Sequence, residues 1–230
     1  METTSSQKDS FLVNIWMGYS AQAVTMEPKM RGEFENGELR KQSRALWAEQ
    51  HVPAYMVGEV RPLIPLLARE NDLVLVDVGA NKGFWTKAFL NVFGERVRHS
   101  YMLDPSPANF AELSPRPDSL IFDPDDFQRI SAHNVAAGSS VGEGVLYTNE
   151  DGSPLASLYA HKLSGKAGTL GMEVLSEELP VSFTTIDEFV SANNIEHIDV
   201  LKIATEGHEY DVLAGARNCF LTGMIDCVFH

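Results

Sequence analysis

The sequence predicts an α/β fold, a doubly wound and mostly parallel sheet with helices on both faces. Three observations carry this. Leu73-Val74-Leu75-Val76 and Ile198–Ile203 are runs of the kind buried on both faces of a parallel sheet. A glycine-rich turn, Gly79 to Gly83, follows the first run and opens into a helix. From there strand and helix patterns alternate to the end of the chain, and such alternation places functional sites at the carboxyl ends of the strands.

Residues 1–70 are expected to form an N-terminal helical extension packed on the core, and residues 71–230 the main domain. The first ten residues are polar. Phe11 to Met26 carries no charge, but the segment before it is net acidic and the run is rich in Asn, Gln, Ser and Gly. It reads as a docked helix rather than a cleaved signal. Glu38 to Ala68 is helical in pattern, interrupted at Pro53 and made irregular by Pro62 and Pro65. After the first strand come a helix over Phe84 to Val92, a strand over His99 to Leu103 and a helix opened by Pro107. Ser114 to Asp126 reads as an ordered loop and His133 to Ala137 as a short strand. Gly144 to Thr148 and Val181 to Thr185 are further strands, flanking a long excursion over Asn149 to Pro180. A helix over Asp187 to Ala192 with Asp187 as its cap, a strand over Ile198 to Ile203, a helix over Glu206 to Ala216 and a strand over Ile225 to Phe229 complete the order.

Composition narrows the function. An apolar fraction of 44% with 22% charged residues belongs to a folded globular chain. The formal charge of −14 repels phosphate backbones and anionic membranes, so nucleic acid and membrane surfaces are poor partners. The two cysteines, Cys219 and Cys227, form no disulfide framework and no zinc-ligand pattern, which points to a reducing, cytoplasmic compartment.

The loop Asp77-Val78-Gly79-Ala80-Asn81-Lys82-Gly83 is the first chemical signal. A dinucleotide fingerprint would place glycine at Asn81, and a P-loop would place Lys and Ser/Thr after Gly83, where Phe84 and Trp85 stand. Asp77 would also oppose a polyphosphate. A ligand with its own ammonium group suits the loop better, with Asp77 facing the ammonium and backbone N–H groups meeting a carboxylate. Asp104, at the end of the next strand, can accept hydrogen bonds from ribose hydroxyls. Together the two acids bracket an amino-acid and a nucleoside moiety, which describes S-adenosylmethionine.

These residues resemble the FkbM family of methyltransferases. The resemblance runs through Val76–Gly83, Asp104-Pro105-Ser106-Pro107, Asn134–Gly138, Thr184–Phe189 and, most specifically, Ile198–Ile203 leading into Glu206-Gly207-His208-Glu209. It implies a Rossmann-like class I methyltransferase fold and methylation of an oxygen, the acceptor being a hydroxyl of a sugar or small metabolite. It also implies that Asn134, Val135 and Ala136 lie near the adenine. Asp77, Gly79, Ala80, Asn81, Gly83 and Asp104 complete the expected cofactor site.

Two departures stand out. The family has an acid between Ile203 and Thr205, where this chain has Ala204. The chain also stops after its fifth sheet strand, where the class I fold adds a last strand pair; a bare edge invites a homo-oligomer. A hydroxyl acceptor needs somewhere to put its proton, and with Ala204 unable to take it, His208 and Glu206 are the expected catalytic residues. Glu206 and Glu209 also have the position of helix-start acids. Glu206, His208 and Asp187 are metal-ligand types, but no spacing forces a metal site. Trp16, Trp47 and Trp85 are stacking faces or core. The alternative readings are a catalytically silent cofactor-binding homologue and, against the charge, an RNA ribose methyltransferase.

Overall fold

The computed structural model describes residues 52–68, 71–116, 119, 121–148, 151–154, 156–158 and 177–230. All belong to the unit Arg44–His230. Residues 1–51, with Trp16, Trp47 and most of the expected extension, lie outside the described residues, as does 159–176 of the excursion.

Strand β1 (Leu73–Val78) is buried at every position and lies in the middle of a five-stranded sheet. β2 (Val97–Leu103) and then β3 (Ile130–His133) flank it on one side. β7 (Ile198–Ile203) and β8 (Ile225–Phe229) flank it on the other. All four pairings are parallel. Because successive residues of a strand face opposite ways, β1 serves two cores. Leu73 and Leu75 pack with Met102 and Val200 against helix α1 (Ala54–Val60) and helix α2 (Phe84–Phe93). Val74, Val76 and Val78 pack with Leu103, Leu201 and Ile203 against three others: α4 (Ile186–Ala192), α5 (Glu209–Ala214) and α6 (Arg217–Leu221). Helix α3 (Pro107–Leu113) lies between β2 and β3 in the chain, with Ser106 as its cap and Pro107 at its first position. The strand order and the two covered faces are those of the doubly wound class.

A second sheet has the order β4 (Ala136–Ala137), β6 (Glu177–Thr184), β5 (Gly142–Thr148). Here the structure corrects the expected single strand over His133 to Ala137. Val135 donates back to the His133 carbonyl, and Asn134 donates through its side chain to the carbonyls of Asp104 and Pro105. The chain turns at these two residues, leaves the main sheet and enters the small one.

Two helix boundaries also move. The expected helix from Glu206 begins only at Glu209, because Glu206 (φ 52°) and Gly207 (φ 105°) both take left-handed conformations. The cap of α4 is Thr185, whose hydroxyl accepts from the Glu188 N–H at 3.0 Å. Asp187, the expected cap, instead accepts from the N–H groups of Asn218 and Cys219, each at 2.9 Å. It thereby satisfies the start of α6 and stitches α6 to α4. Burial, with Asp187 beside it, pushes the Cys219 thiol up to about 12, so this cysteine stays protonated.

The expected ordered loop before β3 is pinned by one buried cation. Lys87 of α2 donates to Asp126 at 2.7 Å and to Asp123 at 3.0 Å.

At the carboxyl end of the sheet, β1 and β7 pair Asp77 with Lys202. Asp77 is fully buried, and its two oxygens meet Lys202 Nζ at 2.8 Å and the Thr86 hydroxyl at 2.7 Å. Lys202 also donates to the Gly79 carbonyl at 2.9 Å. Removing one partner of such a pair strands the other charge in the core. Lys202→Met is therefore expected to cost about 3–5 kcal/mol in denaturant unfolding, and adding Asp77→Asn to it should restore most of that loss. Equal stability of the single and double variants would show that the pair is not the constraint described.

Candidate functional site

The carboxyl ends of β1, β2 and β7 open on a cavity of about 290 Å³. This is near the lower end of the size usual for small-molecule sites, about 300–1,000 Å³. Its walls come from the loop after β1 and the start of α2, the Asp104–Asn109 segment, the Val135–Ala137 turn, Ala204 to Glu206 after β7, one face of α1, and Leu146 with Ser153, Pro154, Ala156 and Leu158.

The loop after β1 is built on close approach. Gly79 (φ 73°) runs so near β7's end that a Cβ there would be driven into the Ala204 carbonyl. Gly83 (φ 83°) leaves the same lack of room before the ring of Phe122. Asn81 stands where a dinucleotide loop has glycine, and its φ of 49° explains why Asn suffices: it tolerates the left-handed region, and its side-chain oxygen accepts from the Lys82 N–H at 2.9 Å.

The loop's amide groups are already spent. Gly79 and Ala80 donate to the Leu103 carbonyl, Asn81 to Asp104, Lys82 to the Asn81 side chain and Gly83 to the Ala80 carbonyl. These bonds give the loop the shape of the wall. Asp77 does not reach the cavity; its charge is directed at Lys202 and Thr86. Gly79, Ala80, Asn81, Asp104, Val135 and Ala136 line the cavity, whereas Gly83, buried against Phe122, and Asn134, exposed and donating to the Asp104 and Pro105 carbonyls, do not.

Asp104 is the best-held carboxylate on the wall. It is 5% exposed and accepts from the Asn81 N–H at 2.8 Å, the Ser106 N–H at 3.0 Å and the Asn109 side chain at 3.1 Å. Burial pushes its carboxyl above the ordinary range, against these three hydrogen bonds, and the nearby Asp77 charge adds to the rise. Ser106 donates in turn to Asp151 at 2.6 Å, fixing the first residues of the excursion beside α3.

On the β7 side, Ala204 and Glu206 line the cavity. Glu206 is held in its left-handed conformation, with Ser157 donating to its carbonyl. Such strain at a cavity wall is the mark of a constrained position. His208 is placed elsewhere: its ring packs edge-on to Phe183 at 5.9 Å, with Nδ1 3.5 Å from Asp211, and it is not on the cavity. Glu209 ties the loop together, accepting from the Thr205 N–H and hydroxyl and from the Gly207 N–H.

Among the cavity residues that sequence reasoning missed are Leu146, Ser153, Pro154, Ala156 and Leu158 and, on α1, Tyr55, Met56 and Glu59. The signal for those on α1 was an exposed face on a helix whose other side is apolar. Among the described residues, one grouping of histidine and acids brings ligand-type atoms within 4.8 Å: His197, Asp199 and Asp226. It lies at the amino ends of β7 and β8, opposite the cavity, and includes none of Glu206, His208 or Asp187.

The family model for the Methyltransferase FkbM domain matches residues 77–222, more than half of the chain. The chain belongs to the FkbM methyltransferase family. The match opens at Asp77 and spans the glycine loop, Asp104 and the β7 strand end. A similar solved structure is Methyltransferase FkbM from Methylobacillus flagellatus KT, 19% identical with a TM-score of 0.43. The alignment covers 66% of this chain and 31% of that one, so this chain spans under a third of its length. No curated protein matches the sequence. No helix among the described residues is long and apolar enough to cross a membrane.

Two outcomes follow from the FkbM site geometry. Gly79→Ala should lower stability by more than the roughly 1–2 kcal/mol that left-handed backbone costs a residue with a Cβ, since the Ala204 carbonyl must also move; thermal unfolding measures this. For Glu209, burial raises the carboxyl pKa, but hydrogen bonds from its own N–H, Gly207 and Thr205 outweigh this and hold it below the ordinary 4.5. The folded value is depressed, so this stabilisation is present above pH 4.5 and is lost as pH falls through the lower folded value. Glu209→Gln should thus narrow the stability gap to wild type as the pH drops below about 4.5, followed by denaturant titration at several pH values.

Proposed function

We propose that the chain is an S-adenosylmethionine-dependent O-methyltransferase acting on a hydroxyl of a sugar or small metabolite. The observation that carries this is Asp104, a buried carboxylate aimed by three hydrogen bonds at the wall of a cavity at a parallel sheet's carboxyl end. A carboxylate at the end of the second strand suits a ribose diol. Val135 and Ala136 offer an apolar surface next to it for a purine, and the Gly79–Asn81 backbone allows close approach of the remainder. The residues present therefore fit the adenosine half of the cofactor, which when bound supplies an electrophilic methyl group on a sulfonium.

Displacement at such a methyl is in-line, so orientation and exclusion of water provide most of what the protein contributes. The acceptor's proton needs a base. Glu206 is the carboxylate that lines the cavity beside Ala204, and His208 is turned to Phe183; both were expected for this role, and the geometry favours Glu206. A net charge of −14 supports a small neutral acceptor over nucleic acid. The free cysteines Cys219 and Cys227 support a reducing, cytoplasmic setting.

Ala204 favours a second reading, a homologue that binds the cofactor without turning it over. Isothermal titration with S-adenosylmethionine tests the first step. Wild type should bind, and Asp104→Ala should bind at least tenfold more weakly; absence of heat with wild type would sink the cofactor assignment. Incubation with methyl-labelled cofactor and a panel of glycosides and hydroxylated metabolites, read by mass spectrometry, tests the second step. Labelled product from wild type supports the enzyme, and label transfer by Ala204→Asp alone supports the silent homologue.

A further inference from the structure

We infer that helix α1, which lies before the family-matched span 77–222, supplies the site for the cofactor's amino-acid end, with Glu59 as the carboxylate that meets its ammonium group. The inference rests on the proposed use of S-adenosylmethionine and adds a residue to it.

The argument starts from a deficit. The sequence offered Asp77 for the ammonium, yet Asp77 is fully buried and its charge is directed at Lys202 and Thr86. An ammonium brought into a cavity loses hydration and needs a carboxylate or several carbonyls in exchange. The carboxylates on the cavity wall are Glu59, Asp104 and Glu206. Asp104 is held at the end of β2 by Asn81, Ser106 and Asn109, where the ribose is assigned. Glu206 follows Ala204 at the end of β7.

Glu59 comes from a different direction. α1 packs on α2, whose first residues Phe84 and Trp85 continue the wall directly after the glycine loop. A ligand running from Val135 past Asp104 and across Gly79 to Asn81 meets this wall last. Tyr55 and Glu59 are one helical turn apart and share a face, and both line the cavity. The rest of the segment is anchored, with Val60, Leu63 and Leu67 buried in the core that includes Leu73 and Phe89. An exposed Tyr55, at 58%, on a helix so firmly packed leaves a polar face presented at a fixed position.

The test compares two defined ligands by isothermal titration: S-adenosylhomocysteine, which carries the amino-acid end, and 5′-methylthioadenosine, which lacks it. Wild type should prefer the first. Glu59→Gln should weaken S-adenosylhomocysteine about tenfold, about 1.4 kcal/mol, and leave 5′-methylthioadenosine unchanged within a factor of two. The second ligand thus reports that the variant is folded with its nucleoside site intact. Equal loss for both ligands, or no loss for either, overturns the assignment. So does a loss of preference in Glu206→Gln but not in Glu59→Gln. If wild type binds neither ligand, the cofactor reading itself fails, and this inference with it.

Discussion

The site depends on one buried ion pair. Asp77 and Lys202 face each other across β1 and β7 in an environment with almost no access to water. Neither charge can be there alone, because an uncompensated charge in such surroundings is worth more than an ordinary domain's stability can spare. The pair therefore fixes the register of two adjacent parallel strands at their carboxyl ends. Through Thr86 it reaches the first turn of α2, and through the Gly79 carbonyl it holds the glycine loop. The three elements that make the cavity floor are joined at one point.

That constraint decides how the polar groups are divided. With Asp77 engaged in the core, and the loop amides bonded to Leu103, Asp104 and each other, the glycine loop presents shape rather than charge. The carboxylates that line the cavity come from outside the loop: Asp104 after β2, Glu206 after β7 and Glu59 on α1. The loop after β7 is organised in its turn by Glu209, whose carboxylate gathers three donors from Thr205 and Gly207. Ala204 takes its backbone place in this arrangement, donating to the Val78 carbonyl.

Much of this was legible in the residues. The continuous apolar run of β1 could only be a strand covered on both faces, and the two cores confirm why. Lys202, a cation inside a buried strand, meets both an acid, Asp77, and the Gly79 carbonyl at the strand end. Other features were illegible for a common reason: they depend on groups far apart in the chain. Thr185 takes the cap of α4 because Asp187 is claimed by the start of α6. The strand expected over His133 to Ala137 divides because Asn134 is drawn to the carbonyls of Asp104 and Pro105.

By itself the sequence determined the order of elements, the parallel sheet, the family and the loop where the cavity would form. These follow from local periodicity, glycine conformational freedom and short motifs, all written within a few residues of one another. Only the tertiary structure decided which way the acids point. Whether a carboxylate faces a ligand or a lysine is a question of packing between strands that are over a hundred residues apart. Asp77 turned inward because Lys202 lay across from it, and α1 reached the cavity because its apolar side found α2. No local pattern encodes either contact.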